Sequence, residues 1–220
     1  MTSNKEDYLK TIYDAGGLEV YVSNKAIAEK LKVAPASVSE MLSKLQNDGL
    51  IEYRAYHGSR LTDAGLASCV DVVRSHELWE VFLIRHLGYT WWEAHEEAHL
   101  LEHVASERMI DRLDEFLGYP ETCPHGALIP KKGKPLPQWA EPLKKLSDLN
   151  EGASAEIAQI TEDQKLLNYL ERSGIQIGKI IRVLVKDEYE GPISFDQEGQ
   201  TIRISYKAAT QIYVKPKSEV

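Results

Sequence analysis

The sequence lacks the features that mark secreted and membrane proteins. It contains two cysteines, Cys69 and Cys123, so disulfides are not the basis of the fold. No apolar run approaches the roughly 18 residues that a membrane-spanning helix needs. The first twenty residues are also too polar for a secretory signal. We therefore expect a cytoplasmic protein that does not bind a membrane.

A net positive charge, the usual mark of a nucleic-acid binder, is also absent, because the formal net charge at pH 7 is −8. The excess of acid is local. Residues 1–70 carry 8 basic and 9 acidic side chains, residues 71–130 carry 4 and 12, and residues 131–220 carry 14 and 13. The middle segment also holds six of the seven histidines. Carboxylates gathered with imidazoles suit divalent cations, so this segment is predicted to bind metal.

The strongest metal-ligand pattern lies in a stretch without glycine or proline, from Thr90 to Leu117, which predicts one long helix. At about 100° per residue, four of its side chains fall within one arc of that helix. They are His95, His99, Glu102 and His103. Three imidazoles and a carboxylate on one face predict a metal-ligand surface. An acidic, solvated helix whose histidines align by accident is the alternative.

The same stretch contains a literal H-E-x-x-H motif at His95, Glu96 and His99. In a zinc-dependent hydrolase, two such histidines bind zinc and the glutamate acts as general base. That second hypothesis leaves Glu102 and His103 unexplained, and the sequence does not specify a third zinc ligand. A metal store or chaperone is a third hypothesis, and it has no need of a DNA-binding domain.

The first seventy residues have the pattern of a winged helix-turn-helix. An apolar stripe over residues 5–15 predicts a first helix, with Asp7 in its first turn. Ser23 is placed to cap a second helix, and Pro35 suits the first turn of a third. Residues 50–62 predict a two-stranded wing. The combination favours DNA binding over a protein-interaction winged helix.

The predicted third helix and the wing supply the candidate DNA contacts. Small side chains on the helix allow close approach to a major groove, and basic side chains can meet phosphates. The candidates are Pro35, Ala36, Ser37, Ser39, Glu40, Lys44, Arg54 and Arg60. For Glu40 an ordinary surface position is the alternative. The expected partners are double-stranded operator DNA and a second copy of the chain, because a helix-turn-helix dimer reads two half-sites.

Two further pairs of ligand-type residues flank the predicted ligand helix. His76 and Glu80 lie one turn apart on a helix predicted over residues 66–87, and a buried ionisable pair needs a partner or a metal. Cys123 and His125 lie in a short loop that offers a thiolate and an imidazole. A plain His–Glu pair and a structural cysteine are the alternatives.

The last third of the chain changes from helical to strand patterns. Residues 130–142 are rich in proline and predict a linker. Short β-branched runs and one helix then predict a small SH3-like β-barrel without a catalytic pattern. Its predicted strands are 155–160, 179–186, 191–195 and 201–206, and its helix is 162–172. The predicted fold is α+β and mainly α: a winged helix-turn-helix over 1–70, a helical dimerisation and metal-binding domain with the linker over 71–140, and the barrel over 146–220.

Over nearly its whole length the chain resembles the diphtheria toxin repressor family, and within it the manganese-responsive streptococcal branch. The resemblance is carried by Glu6-Asp7-Tyr8-Leu9, the winged helix, His76-x-x-x-Glu80, His95-x-x-x-His99-x-x-Glu102-His103, Cys123-Pro-His-Gly and the C-terminal barrel. It implies a metal-activated dimeric repressor of metal-uptake genes, with a FeoA-like C-terminal domain.

The resemblance also implies two metal sites. The first matches Asp7, His99, Glu102 and His103. The second matches His76, Glu80, His95, Cys123, His125, Glu156 and Gln159. Lys10 stands where manganese-type members often have a carboxylate, which argues against a closely spaced pair of metals. Because the first set has only nitrogen and oxygen donors, Mn(II) is the expected metal, with Fe(II) and Zn(II) as alternatives.

Overall fold

The computed structural model describes residues 2–134 and 136–217. Its N-terminal part is three helices followed by a two-stranded antiparallel wing. These elements are α1 (Ser3–Asp14), α2 (Asn24–Leu31), α3 (Pro35–Asn47), β1 (Ile51–Arg54) and β2 (Gly58–Leu61). Apolar side chains at helical spacing, such as Leu9, Ile27 and Leu42, meet in one buried core. The predicted helix-turn-helix and wing are therefore present.

Local signals explain where these helices begin. The Ser23 hydroxyl accepts a hydrogen bond from the Ala26 amide at 3.2 Å, and Pro35 occupies the first turn of α3. The first helix begins at Ser3, earlier than predicted, so its first-turn acid is Glu6. The prediction that Asp7 lies in the first turn is wrong. The helix dipole is accordingly a weaker reason for a carboxylate at that position.

The middle of the chain forms three helices, α4 (Asp63–Leu87), α5 (Trp91–Leu101) and α6 (Glu107–Phe116). One long helix from Thr90 to Leu117 is therefore a wrong prediction. The chain leaves the helix after Leu101, and the Ser106 hydroxyl caps a new one by accepting from the Met109 amide at 3.3 Å. Glu102 and His103 consequently lie in the turn between α5 and α6 rather than on a helical face.

The C-terminal part is a six-stranded antiparallel sheet in the order β3-β8-β4-β5-β6-β7. Its strands are β3 (Lys144–Lys145), β4 (Ser154–Ile160), β5 (Ile180–Lys186), β6 (Ile193–Gln197), β7 (Gln200–Ile204) and β8 (Ile212–Pro216). Two helices, α7 (Gln164–Arg172) and α8 (Tyr206–Ala209), accompany them. Within the described residues β3 and β7 do not pair with each other and form the two edges, so the predicted small SH3-like β-barrel is an open sheet. The strand and helix patterns of the sequence do not predict β3, β8 or α8.

The sheet domain lies against α5 and against the loop after α6. Trp91 and Trp92 pack on the core of the sheet domain, and the Trp91 amide donates to Glu171 of α7 at 3.3 Å. The Ile160 amide donates to the His125 carbonyl at 2.9 Å, which joins the loop to the end of β4. Gly126, at φ +89°, permits this approach, because a Cβ there would stand 1.9 Å from the Ala158 carbonyl oxygen. The end of β4 is thereby held beside the histidines of the helical domain.

Candidate metal centre

The four residues predicted for the first site lie together between α1 and the end of α5. One ligand atom from each of Asp7, His99, Glu102 and His103 lies within 4.8 Å of the others. His103 Nε2 is 2.7 Å from Asp7 Oδ1 and 3.2 Å from Glu102 Oε1, and His99 Nδ1 is 2.9 Å from Glu102 Oε1. We call this group the interdomain cluster, because Asp7 comes from the winged-helix part and the rest from the helical part.

Two residues beside the interdomain cluster were not singled out as functional by sequence reasoning. Glu6 Oε2 lies 2.8 Å from His103 Nδ1, so Glu6 holds the ring whose other nitrogen faces Asp7. Lys10 is buried and pairs with Asp14 at 3.2 Å. Burial acts to lower the pKa of Lys10, but Asp14, Glu162 and Glu102 outweigh it and raise that pKa. Lys10 is therefore a fixed cation in the interior.

A second group, which we call the core cluster, surrounds Glu80. His76, Glu80 and His95 offer ligand atoms within 4.8 Å of one another, and so do Glu80, Cys123, His125 and Glu162. Glu80 Oε1 is 3.0 Å from both His76 Nε2 and His95 Nδ1. Glu80 Oε2 is 3.0 Å from His125 Nδ1. The α4 pair, the α5 histidine and the loop after α6 thus converge on one carboxylate.

The chemistry of the core cluster fits a divalent cation. Glu80 Oε2 and both nitrogens of His125 are buried, and within the described part of the chain none of them has a partner at hydrogen-bonding geometry. His125 Nδ1 nevertheless lies 3.0 Å from Glu80 Oε2, so the two groups form a close ion pair of poor hydrogen-bond geometry when the imidazole is protonated. Leaving such groups unsatisfied costs roughly 1–3 kcal/mol each. A cation bound by Glu80 Oε2 and by one nitrogen of His125 would satisfy those two atoms, and imidazole, carboxylate and thiolate are all metal ligands.

Burial and neighbouring charges shift the pKa values of buried side chains in both clusters. Burial and the Lys10 cation act to lower the pKa of His76, yet Glu80 and Glu102 raise it to about 10. Burial likewise acts against the charged form of His125, and Glu80 and Glu162 raise its pKa to about 9. Burial would raise the pKa of Glu102, but the hydrogen bonds from His76 and His99 hold it at about 2. Without metal, protons therefore balance the carboxylates.

Glu102 is a member of the interdomain cluster that also contacts His76 of the core cluster. Its Oε1 faces His99 and His103, while its Oε2 lies 2.5 Å from His76 Nδ1. The other nitrogen of His76, Nε2, faces Glu80 in the core cluster. One buried carboxylate and one imidazole therefore connect the two groups directly.

The two barrel residues predicted for the second site lie elsewhere. The Glu156 carboxylate pairs with Lys217 at 3.0 Å and with Lys215 at 3.5 Å. Gln159 Oε1 accepts from the Trp139 indole N–H at 3.4 Å. Glu162, just past β4, reaches the core cluster instead, with Oε2 3.6 Å from His95 Nδ1. No motif marks Glu162 in the sequence; only the docking of β4 on the His125 loop brings it there.

The H-E-x-x-H motif is divided by the structure. His95 lies in the core cluster and His99 in the interdomain cluster, so the two histidines do not share a ligand group. Glu96 between them is exposed. The single ligand face predicted from helical spacing is therefore wrong, and the motif does not assemble a hydrolase zinc site.

The side chains predicted to contact DNA are accessible. Those on α3 are exposed, as is Arg54, and Arg60 is half-buried. Glu40 forms an ion pair with Lys44 at 2.7 Å. Tyr21, which sequence reasoning missed, orders the two arginines of the wing. The guanidinium carbons of Arg54 and Arg60 lie 4.7 and 5.3 Å from the centroid of its ring. Because its hydroxyl also donates to Glu52 at 2.9 Å, Tyr21 fixes how the wing presents its positive charge.

A winged helix joined to a helical domain through clusters of histidines and carboxylates defines a metal-responsive DNA-binding regulator. Comparison with known families makes the class specific. The iron dependent repressor N-terminal DNA binding domain matches residues 1–59, the iron dependent repressor metal binding and dimerisation domain matches 62–131, and the FeoA domain matches 144–216. The chain belongs to the iron-dependent repressor family, which includes the diphtheria toxin repressor. Its members are metal-dependent transcriptional repressors, not enzymes, and the zinc-hydrolase hypothesis is not supported.

Individual relatives agree with this membership. The iron-dependent repressor IdeR of Mycobacterium leprae is 37% identical over 130 residues, 59% of this chain and 56% of IdeR, so the match spans just over half of that relative. The diphtheria toxin repressor of Corynebacterium efficiens is 28% identical over 98% of this chain and 96% of its own length. Among solved structures, the manganese regulator SloR is 39% identical, with a TM-score of 0.80 over 99% of this chain and 100% of SloR. ScaR with bound Zn²⁺ is 43% identical, with a TM-score of 0.79 over 96% and 98% of the two chains.

The described residues include no helix long and apolar enough to cross a membrane.

Proposed function

We propose that this chain is a manganese-activated homodimeric repressor that binds the operator DNA of metal-uptake genes in the cytoplasm. The observation that carries the proposal is the interdomain cluster. It joins Asp7, on a helix of the winged-helix part, to His99, Glu102 and His103 of the helical part. A divalent cation bound there would supply one positive centre shared by ligands of both domains.

The side chains of the interdomain cluster explain how a bound metal ion can affect the DNA-binding surface. Asp7 and Glu6 are fixed to α1, whose residues Leu9 and Ile12 pack in the same core as Val38, Leu42 and Leu45 of α3. A restraint on α1 is therefore transmitted to α3 through a packed core rather than through a flexible loop. In a dimer this sets the spacing and tilt of the two recognition helices, which must match half-sites about one helical turn apart.

The donor set supports manganese. The interdomain cluster offers two imidazoles and two carboxylates and no sulfur, which suits a hard or intermediate cation. Fe(II) and Zn(II) bind the same donors, and zinc binds most such sites more tightly than manganese, so availability in the cell decides between them. The relatives differ in the same way, since SloR is a manganese regulator and IdeR is an iron-dependent repressor.

For the second metal site we propose the core cluster. Its ligands are drawn from His76, Glu80, His95, Cys123, His125 and Glu162. We place Glu162 in this set in preference to Glu156 and Gln159, whose side chains are engaged by Lys217 and Trp139. Because this set includes a buried thiol, it suits softer cations such as Zn(II) better than the interdomain cluster does. The side chains of the sheet domain thus contribute to the site and do not only cover it.

The helical part carries the surface that we propose for the dimer contact. Large apolar side chains are exposed on α5, on α6 and in the turn between them, including Leu100 at 66%, Val104 at 76% and Phe116 at 63%. Apolar exposure of this kind on a soluble chain marks an interaction surface. Phe116 continues into an aromatic group with Phe82 and His86 of α4, with ring centroids 6.1 and 5.0 Å away.

The test is a fluorescence-anisotropy titration of the full chain against promoter fragments of metal-uptake genes, in Mn(II), Fe(II), Zn(II) or chelator. We expect tight binding with divalent metal, a loss of at least tenfold in chelator, and no metal response on an unrelated duplex of equal length. Binding should also weaken steeply with salt, since each neutralised phosphate contributes about −0.9 to the logarithmic salt slope. Equal affinity for promoter DNA in chelator and in Mn(II) would refute metal activation.

A further inference from the structure

The core cluster is closed off from solvent. His76, Glu80, Cys123 and His125 are each at most 3% exposed. The most accessible members are Glu162 and His95, whose side chains are 19% and 12% exposed. An ion that enters or leaves this cluster without unfolding the domain must therefore pass one of these two side chains.

A cavity of about 930 Å³ opens on the Glu162 side. It lies where the three parts of the chain meet, between the end of α1, the middle of α4, the proline-rich linker and the end of β4. Its charged lining is mainly acidic, with five acidic side chains and one ammonium, and one of the acids, Asp14, is also paired with the buried Lys10. The carboxylates are Asp14, Glu19, Glu77, Glu141 and Glu162, and the ammonium is Lys30. A cleft with low-dielectric walls and one sign of charge concentrates counter-ions, here cations.

Glu77 is a buried acidic side chain in the wall of this cavity. It follows His76 on α4, lines the cavity, and is only 6% exposed. In the described part of the chain its Oε2 is buried and has no hydrogen-bond partner. Glu77 does not belong to either metal-ligand group. A carboxyl oxygen without a hydrogen-bond partner at this depth costs stability, and an ion that contacts it in transit would offset that cost.

The linker forms the outer wall. Trp139 lines the cavity, its indole N–H donates to Gln159 at 3.4 Å, and the Lys215 ammonium stands 4.0 Å from its ring centroid. These two contacts hold the linker against β4 and β8, where it lines the cavity. Removing the indole would widen the passage without touching a residue of either cluster.

We propose that this cavity is the entry route by which a divalent cation reaches the core cluster, with Glu77 and then Glu162 as successive carboxylates along it. The inference rests on the proposed metal binding by the core cluster. A route lowers the barrier in both directions, so changes to it alter the rates of loading and release together and leave the equilibrium affinity nearly unchanged.

The test is stopped-flow loading of the full chain with Co(II), followed by the thiolate-to-cobalt charge-transfer absorption that Cys123 ligation produces. We expect Glu77→Gln to slow both loading and chelator-driven release by about tenfold, the lower range of such electrostatic effects. Trp139→Ala should accelerate both rates. Glu96→Gln, which removes an exposed carboxylate outside the cavity, is the matched control and should load like the wild type.

Three results would overturn the proposal. Wild-type rates in both Glu77→Gln and Trp139→Ala would place the entry elsewhere. A large loss of equilibrium affinity in Glu77→Gln with an unchanged loading rate would make Glu77 a ligand. If the wild-type chain shows no charge-transfer absorption at all, the core cluster does not bind the ion through Cys123, and the route falls together with that part of the proposed function.

Discussion

At the scale of single residues, Asp7 is the ligand that connects the DNA-binding part to the rest of the interdomain cluster. We expect Asp7→Ala to lose metal-stimulated operator binding while keeping nearly normal thermal unfolding without metal. To turn a population from 1:99 to 99:1, metal must prefer the DNA-competent state by roughly 10⁴-fold, about 5.5 kcal/mol. Losing one ligand at each of two dimer-related sites removes much of that preference. Anisotropy in Mn(II) and a melting curve in chelator measure the two effects.

The matched control for this substitution is Asp63→Ala. Asp63 is an exposed first-turn aspartate of α4 and lies outside both clusters. It should change stability by about 0.3–1 kcal/mol through the helix dipole and leave the metal response intact. If Asp7→Ala binds operator like the wild type in Mn(II), the switch does not depend on the interdomain cluster.

The buried imidazoles predict opposite effects of pH on the metal-free and metal-bound protein. His76 and His125 have folded pKa values of about 10 and about 9, above the ordinary 6.5. Their contribution to stability is fully present below pH 6.5 and is lost as pH rises through 9 to 10. Metal needs the neutral rings, so its apparent affinity should rise over the same interval.

Thermal melts from pH 6.5 to 10 check this prediction. In chelator the melting temperature should fall with pH, and the stabilisation produced by added metal should grow. Calorimetric titrations in buffers of different ionisation enthalpy should show protons released on binding. Metal affinity that is independent of pH over this interval would mean that these histidines do not bind the ion.

At the scale of elements, the turn between α5 and α6 places exposed apolar groups next to metal ligands. We expect Val104→Asp to convert the dimer to a monomer, because a charge at the centre of an apolar contact is costly to desolvate. Val104 is 76% exposed in the single chain, so the subunit fold should be unchanged. Sedimentation velocity at micromolar concentration measures the change.

Leu184→Asp serves as the control for the dimer prediction. Leu184 is 41% exposed on β5 of the sheet domain, away from the helical part. It should sediment as the wild type does. If Val104→Asp remains a dimer while Leu184→Asp dissociates, the sheet domain would be the dimer contact.

Element boundaries also show what the sequence can and cannot predict. The helices of the winged part follow from local periodicity and from caps such as Ser23, so they could be predicted. The break at Ser106 is not predicted, because Ala105, Glu107 and Arg108 beside it are good helix formers and no glycine or proline marks the end of the preceding helix. Whether β3 and β7 pair with each other and close a barrel depends on contacts between distant segments. The periodicity of apolar residues along the chain gives no information about such contacts.

The residues of the candidate site likewise fall into those that the sequence predicts and those that it does not. Ligand residues on α4 and α5 were found because spacing along a helix is local information. Glu162, Glu6 and Tyr21 were missed because their roles arise from contacts between distant segments. The single ligand face fails because the helix ends at Leu101, before Glu102 and His103, and because His95 and His99 lie in different ligand groups, as the family resemblance implies.

At the scale of the whole molecule, Glu102 links the two metal clusters through its separate oxygens. Filling one site fixes that carboxylate and the His76 ring before the other is filled. Thermodynamic linkage then requires each ion to change the affinity for the other by one common factor, typically about 5- to 150-fold. Titration with and without a tightly bound ion in the core cluster measures this factor, and a value of one would show that the sites act independently.

A factor above one would change the kind of signal that the protein gives. Two independent sites would respond gradually, each over its own range of ion concentration. Two sites connected through Glu102 and His76 would fill together, so the response would rise steeply around one ion concentration. A single buried side chain would then determine how sharply the cell distinguishes scarcity from sufficiency.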